Sequence, residues 1–302
     1  MTKFESLASI LFIILCLLGI SAWLRRKLNL CFRSANAARA ETAELRDLLL
    51  RSRVAVKRLG KSFELVQEQL ECSQRSPQPV LRSQFGEDMV LLAFFGSKMT
   101  GFYVEAGGYD GLTFSATAVL ESLGWKGLLV EPHPQLFASC VRNRPGSVVK
   151  QVALGSPGES GSVDFTCVDY QSGAGSPLSF RSAFADQAHI DRCLAEGANF
   201  TTTKVAVATL NATLDGLTER VDVLVLDIEG HELRVLEGFD IRRYRPAVVL
   251  VEVHWSDADQ IVRNWFVERE YASCGVIGCN EFFAPNIDAE RLRALVAAFP
   301  DC

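Results

Sequence analysis

No two of the nine cysteines form a C-x-x-C pair, and the four histidines (His133, His189, His231, His254) do not cluster with cysteines. No zinc-ligand spacing is present. An odd, scattered set favours reduced thiols over a disulfide framework; Cys274 and Cys279, the closest pair, fit either a disulfide or two core thiols. The chain also lacks a G-x-G-x-x-G string, which excludes the usual dinucleotide fingerprint. Positive charge is scarce where the chain is globular: residues 83–302 carry 17 Lys and Arg against 29 Asp and Glu. Phosphate contacts need Lys and Arg, so nucleic acid is excluded as a partner.

Apolar residues are plentiful: 48% of 302 residues, enough for one large α/β domain with appendages. Three regions follow. Residues 1–27 hold an uncharged run of 18 residues, Leu7 to Leu24, followed by Arg25-Arg26-Lys27. This length just crosses a bilayer, and the flanking Trp23 and basic cluster suit its interface. The run reads as a single-pass membrane anchor, with a cleaved signal peptide at Gly19-x-Ser21 as the competing reading. An endomembrane location (ER or Golgi) is the expectation. The basic flank argues for a cytosolic domain, while the sequons at Asn199 and Asn211 point to the lumen, so orientation stays open.

Residues 28–82 form the next region; residues 25–82 carry the opposite charge balance, 13 Lys and Arg against 6 Asp and Glu. Within 40–72, Leu45, Leu49, Ser52, Val56, Leu59, Phe63, Val66 and Leu70 step by fours and threes. This heptad stripe predicts a helical stalk, which offers a coiled-coil route to a homodimer. Ser76-Pro77-Gln78-Pro79 ends it as a linker.

Residues 83–302 are organised around Phe102-Tyr103-Val104-Glu105-Ala106-Gly107-Gly108-Tyr109-Asp110-Gly111. This is a buried strand, an acid and a glycine turn. Gly107, Gly108 and Gly111 suit a sharp turn with a ligand held close to the backbone. Glu105 and Asp110 would repel a diphosphate and suit a ligand with positive charge. S-adenosylmethionine, with an ammonium and a sulfonium and no phosphate, fits. Glu131, ending the next strand, is placed to accept both ribose hydroxyls.

Strand and helix then alternate. An amphipathic helix runs through Phe95, a helix spans 116–123, another opens at Pro134, and a third strand covers 148–154. The expected architecture is therefore a doubly wound, mostly parallel α/β sheet. Residues 156–200 interrupt the rhythm with an added antiparallel strand near 162–168 and a Gly/Ser loop at 171–177, assigned to acceptor recognition. Regularity resumes with strands at 204–208, 221–227 and 246–254. Ligands in such folds sit at the carboxyl ends of the strands. Glu105, Glu131, Asp227, Glu229, Glu252 and His254 are expected to converge there. Asp227 or His254 is the candidate base, with Glu229 assisting or capping a helix near Gly230. Asp227, Glu229 and Glu252 offer oxygen ligands without a metal motif, and no metal is assigned.

An ordered set of motifs carries a resemblance. It comprises Ser83-Gln84-x-Gly86-Glu87-Asp88, Val104-Glu105-Ala106-Gly107, Gly124-Trp125-x-Gly127-x-x-x-Glu131-Pro132, Val152-Ala153-Leu154, Thr213-Leu214-Asp215 and Asp227-Ile228-Glu229-Gly230-His231-Glu232. The domain resembles the FkbM family of S-adenosylmethionine-dependent methyltransferases. The resemblance implies a class I methyltransferase fold and methyl transfer, usually to a hydroxyl of a small molecule or glycan. Glu105, Gly107, Gly108, Gly111 and Glu131 would be the cofactor residues. A layout of one span followed by this domain is also similar to Star-like trafficking proteins, so a catalytically silent adaptor is the alternative.

Overall fold

The computed structural model describes residues 80–298, apart from 97, 171–175, 177, 183–186, 219 and 254–256. The expected membrane anchor, the stalk, most of the Gly/Ser loop and His254 lie outside the described residues. Among the described residues no helix is long and apolar enough to cross a membrane.

Helix α1 (Glu87–Phe95) leads into β1 (Phe102–Ala106). Sequence reading made α1 amphipathic. Instead it is buried nearly all round, with Met89, Val90, Leu91, Leu92 and Phe94 in the core and its acids Glu87 and Asp88 also buried. Its apolar residues are contiguous rather than periodic, which is the pattern of an interior helix. Then come α2 (Ala118–Ser122), β2 (Lys126–Val130), α3 (Pro134–Asn143) and β3 (Val148–Lys150). Helix α3 starts where Pro134 needs no N–H partner and His133 Nδ1 accepts from Gln135 N at 3.2 Å.

The expected third strand is two strands. Val148–Lys150 pairs with β2, whereas β4 (Ala153–Leu154) leaves for a second sheet. That sheet holds β5 (Ser162–Asp169), β6 (Phe180–Arg181) and β7 (Asn199–Ala208), in the order β4-β7-β5-β6, with α4 (Gln187–Ala195) between β6 and β7. The interruption at 156–200 is therefore a built module. The strand expected at 204–208 is the end of β7 and belongs to the module rather than to the main sheet.

After α5 (Leu210–Leu214), the chain returns to the main sheet with β8 (Val223–Leu226). Next come α6 (Glu232–Glu237), α7 (Ile241–Tyr244), β9 (Val248–Glu252) and α8 (Asp257–Val267). The hairpin β10 (Tyr271–Ile277) and β11 (Asn280–Pro285) precedes α9 (Asn286–Val296). The main sheet runs β3-β2-β1-β8-β9-β11-β10, with β11 antiparallel to β9 and to β10 and the pairs from β3 to β9 all parallel. Apolar clusters cover both faces, as a parallel sheet requires.

This order places the topological switch between β1 and β8, where the chain first winds outward through β2 and β3 and then returns to the other side. A crevice opens at the carboxyl ends of strands at such a point.

Candidate functional site

Backbone hydrogen bonds lace the switch point together. Gly107 N and Gly108 N both donate to Val130 O, at 3.0 and 3.2 Å, and Asp227 N donates to Ala106 O at 3.1 Å. Gly107 has φ +86°, and a Cβ there would lie 1.8 Å from Asp227 O. The requirement for glycine is thus set by the neighbouring strand as well as by any ligand.

A cleft lies over this point. Gly107, Glu131 and Pro132 line one side; Asp227, Ile228, Glu229 and His231 line another; Phe165, Ser176, Ser179, Phe180 and Arg181 of the second sheet and its connection close the third. Of the five expected cofactor residues, Gly107 and Glu131 reach the cleft. Of the expected catalytic residues, Asp227 and Glu229 do.

Glu131 is 5% exposed. Its Oε2 accepts from Tyr109 N at 2.9 Å and its Oε1 from His133 N at 2.8 Å. Two backbone donors fix the carboxylate, and each oxygen keeps further acceptor capacity. Burial pushes its pKa up to about 8; Asp227 adds to the rise, against those two N–H groups.

Glu105, expected as a cofactor residue, is not among the residues that line the cleft. Its carboxylate accepts from Thr117 Oγ1 at 2.6 Å, Ser115 Oγ at 2.8 Å and Ala116 N at 3.2 Å, and Arg144 Nη1 stands 3.3 Å away. Arg144 also donates to Gly111 O, Ser115 Oγ, Thr117 Oγ1 and Glu121. Gly111 is thereby part of this internal knot. Gly108 packs against Cys140 and Leu129. The cause is the two-residue period of a strand: Glu105 follows Tyr103 onto the face where α2 and the exit of α3 supply hydroxyls and a guanidinium.

Past Leu226, Glu229 (φ +58°) and Gly230 (φ +89°) both take left-handed backbone. Ile228 N and Gly230 N donate to Glu232 Oε1, each at 3.2 Å. Glu229 does not cap the helix; His231 stands at the N-cap of α6. Glu232, the buried last residue of the Asp227–Glu232 motif, shapes this loop. A non-glycine residue held at positive φ costs about 1–3 kcal/mol and clusters at functional sites.

Glu252, at the end of β9, holds its proton: burial, then the charges of Asp227, Glu229 and Glu232 and a side-chain hydrogen bond with Asp227, push its pKa up to about 10. A second recess borders Glu252, lined by Gly230, Glu232, Leu233, Asp259 and Glu281 among others. Among the described residues, no three His, Cys, Asp or Glu side chains are grouped to hold a metal ion.

The second sheet's contribution was not legible in sequence. Arg181, 6% exposed, lines the cleft while its Nη atoms donate to both oxygens of Glu159 at 2.9 and 3.1 Å. This holds Glu159 down to about 2. His133 and Asp169 form a further tie between β2 and β5, with Nε2 and Oδ1 3.5 Å apart. The described cysteines, Cys140, Cys167, Cys193, Cys274 and Cys279, are free thiols.

A seven-stranded sheet with an antiparallel β11, an acid at the exit of β2 and a glycine turn at the switch point define a methyltransferase-like α/β domain. The chain belongs to the methyltransferase FkbM domain family, whose model matches residues 105–275, more than half of the chain. Family membership makes it a methyltransferase and implies S-adenosylmethionine as the donor. No curated protein matches the chain. Among solved structures, it is similar to a TehB-like SAM-dependent methyltransferase from Corynebacterium glutamicum (13% identity, 74% of this chain and 96% of that one, TM-score 0.33). It is also similar to the C-terminal domain of precorrin-6Y C5,15-methyltransferase from Rhodobacter capsulatus (8% identity, 70% and 91%, TM-score 0.35). The family match carries the assignment.

Proposed function

We propose that the chain transfers a methyl group from S-adenosylmethionine to a hydroxyl oxygen of a small molecule or glycan. The observation that carries this reading is Glu131, a buried carboxylate fixed by two backbone donors and lining the same cleft as Gly107 and Asp227. The residues present fit the donor: an acid for ribose hydroxyls, a glycine turn at the switch point, and carboxyls around Asp227 for an ammonium. The donor, when bound, supplies an electrophilic methyl group on a sulfonium.

The chain's own residues do the rest. Glu131 accepts the ribose O–H groups and fixes the donor's orientation. The walls formed by Phe165 and Phe180 exclude water from the cleft. Asp227 Oδ takes the proton of the acceptor hydroxyl, and Glu252, already protonated, stays neutral beside it. The recess beside Glu252 holds the acceptor, so that positioning supplies much of the rate. In the same reading the run over 7–24 anchors the chain in an endomembrane and the stalk pairs two copies. Extraction of the full chain by detergent but not by alkaline carbonate is the expected outcome for the anchor.

The test is transfer of labelled methyl from S-adenosylmethionine into a membrane and glycan extract by the full-length chain. An O-methyl product is expected, and Asp227→Asn should lower transfer by about 100-fold or more. A labelled N-methyl product would overturn the oxygen assignment. No transfer by protein that binds the donor would favour the silent adaptor.

A further inference from the structure

The two sequons, Asn199-Phe200-Thr201 and Asn211-Ala212-Thr213, have no part in the site described so far, and the fold treats them differently. An N-linked glycan is bulky and polar, so its asparagine must stand at the surface of the folded chain.

Asn211 is engaged and half-buried. It lies in α5, where its Oδ1 accepts from Asp240 N at 2.9 Å and its own N donates to Gly238 O at 3.1 Å. These bonds fasten α5 to the N-cap of α7. Thr213, two residues on, is 2% exposed, and its Oγ1 donates to Leu210 O at 2.7 Å.

Asn199 is the reverse case. Asn199 and Thr201 are both exposed at the start of β7. The two-residue period of a strand puts them on one face and turns Phe200 to the other. There Phe200 packs against Val168, Phe180, Cys193 and Ala198. The turn before the strand is fixed, since Ala198 N donates to Cys193 O and Gly197 N to Leu194 O, each at 3.0 Å. The asparagine is thus held at the surface by its neighbours.

A second observation bears on the same place. β7 lies between β4 and β5, but β4 pairs only with Val207 and Ala208, while β5 pairs with Asn199 through Ala206. Over residues 199–206 the other edge of β7 therefore has no strand beside it among the described residues. An open edge of this length, rich in threonine (Thr201, Thr202, Thr203), invites pairing with another chain. Lys204 is its only charge, and it is already paired with Asp164 at 2.8 Å. A glycan at Asn199 would cover the head of this edge.

We propose that Asn199 is a site of N-linked glycosylation, that Asn211 is not, and that the globular domain therefore faces the lumen. The proposal rests on the endomembrane reading above. Its test is expression of the full-length chain in a human cell line, with mobility on denaturing gels read before and after peptide-N-glycosidase treatment. The wild-type chain and Asn211→Gln should each lose one glycan, whereas Asn199→Gln and Thr201→Ala should show no shift. Thr201→Ser keeps the hydroxyl and should keep the shift. Carbonate extraction of the same membranes separates the two readings. Membrane-held wild-type chain without a shift, loss of two glycans, or a shift that survives Asn199→Gln would overturn the proposal and leave the anchor standing. Chain released by carbonate and without a shift would overturn both. Release with the shift at Asn199 intact would overturn the anchor alone.

Discussion

Glu105 and Glu131 end adjacent parallel strands, and both are buried to within 5% exposure. Their surroundings differ: Glu105 has Arg144 and the hydroxyls of Ser115 and Thr117 beside it, whereas the hydrogen bonds of Glu131 come from two backbone N–H groups. The first carboxylate is enclosed in a closed knot of side chains that ties β1 to α2 and the end of α3. The second, with no cation, is raised by burial and keeps acceptor capacity toward the cleft. What the rest of the chain brings to an acid at a strand exit therefore decides whether it is tied into the interior or left with acceptor capacity toward a cleft.

Removing the cation is the most damaging way to break this contrast. Arg144→Leu leaves Glu105 and Glu121 buried without their partner. It should cost about 3–5 kcal/mol in denaturant unfolding. Next is the joint between the two regions. Gly107→Ala drives a Cβ into Asp227 O at a φ of +86° and should cost about 2–4 kcal/mol, with a matching loss of donor binding.

The pH dependence of stability sharpens the contrast on the side of Glu131 and Glu252. A carboxyl whose folded pKa is raised binds a proton in the native state that the unfolded chain has released. Its contribution therefore falls as pH rises from about 4.5 to about 8 for Glu131 and to about 10 for Glu252, and levels off above. Each group contributes a slope of about 1.4 kcal/mol per pH unit within its window. Glu252→Gln should remove one such slope, which urea melts between pH 6 and pH 9 would detect. The smallest effect belongs to Glu229. Glu229→Gly relieves a positive φ and should raise stability by about 1 kcal/mol while lowering methyl transfer.

The sequence showed why an α/β domain forms here, since strand, acid and glycine recur at the spacing of a doubly wound sheet. It located Glu131, Asp227 and Glu229 because strand exits are visible as apolar runs ending in acid. It did not reveal the side to which Glu105 turns, because Arg144 lies 39 residues further on and carries no local signal. The second sheet was equally hidden. Residues 148–154 read as one strand, and only tertiary pairing divides them between two sheets. The hairpin of β10 and β11 and the helices around it were unread, although this hairpin supplies Asn280, which donates to Glu87 at the start of α1.

The central claim is that the acid of β2, rather than the acid of β1, holds the donor. Calorimetric titration of S-adenosylhomocysteine into folded Glu105→Gln and Glu131→Gln chains tests it most directly. The account predicts near wild-type affinity per folded molecule for Glu105→Gln and at least a tenfold loss for Glu131→Gln. Wild-type affinity in Glu131→Gln together with lost affinity in Glu105→Gln would contradict it.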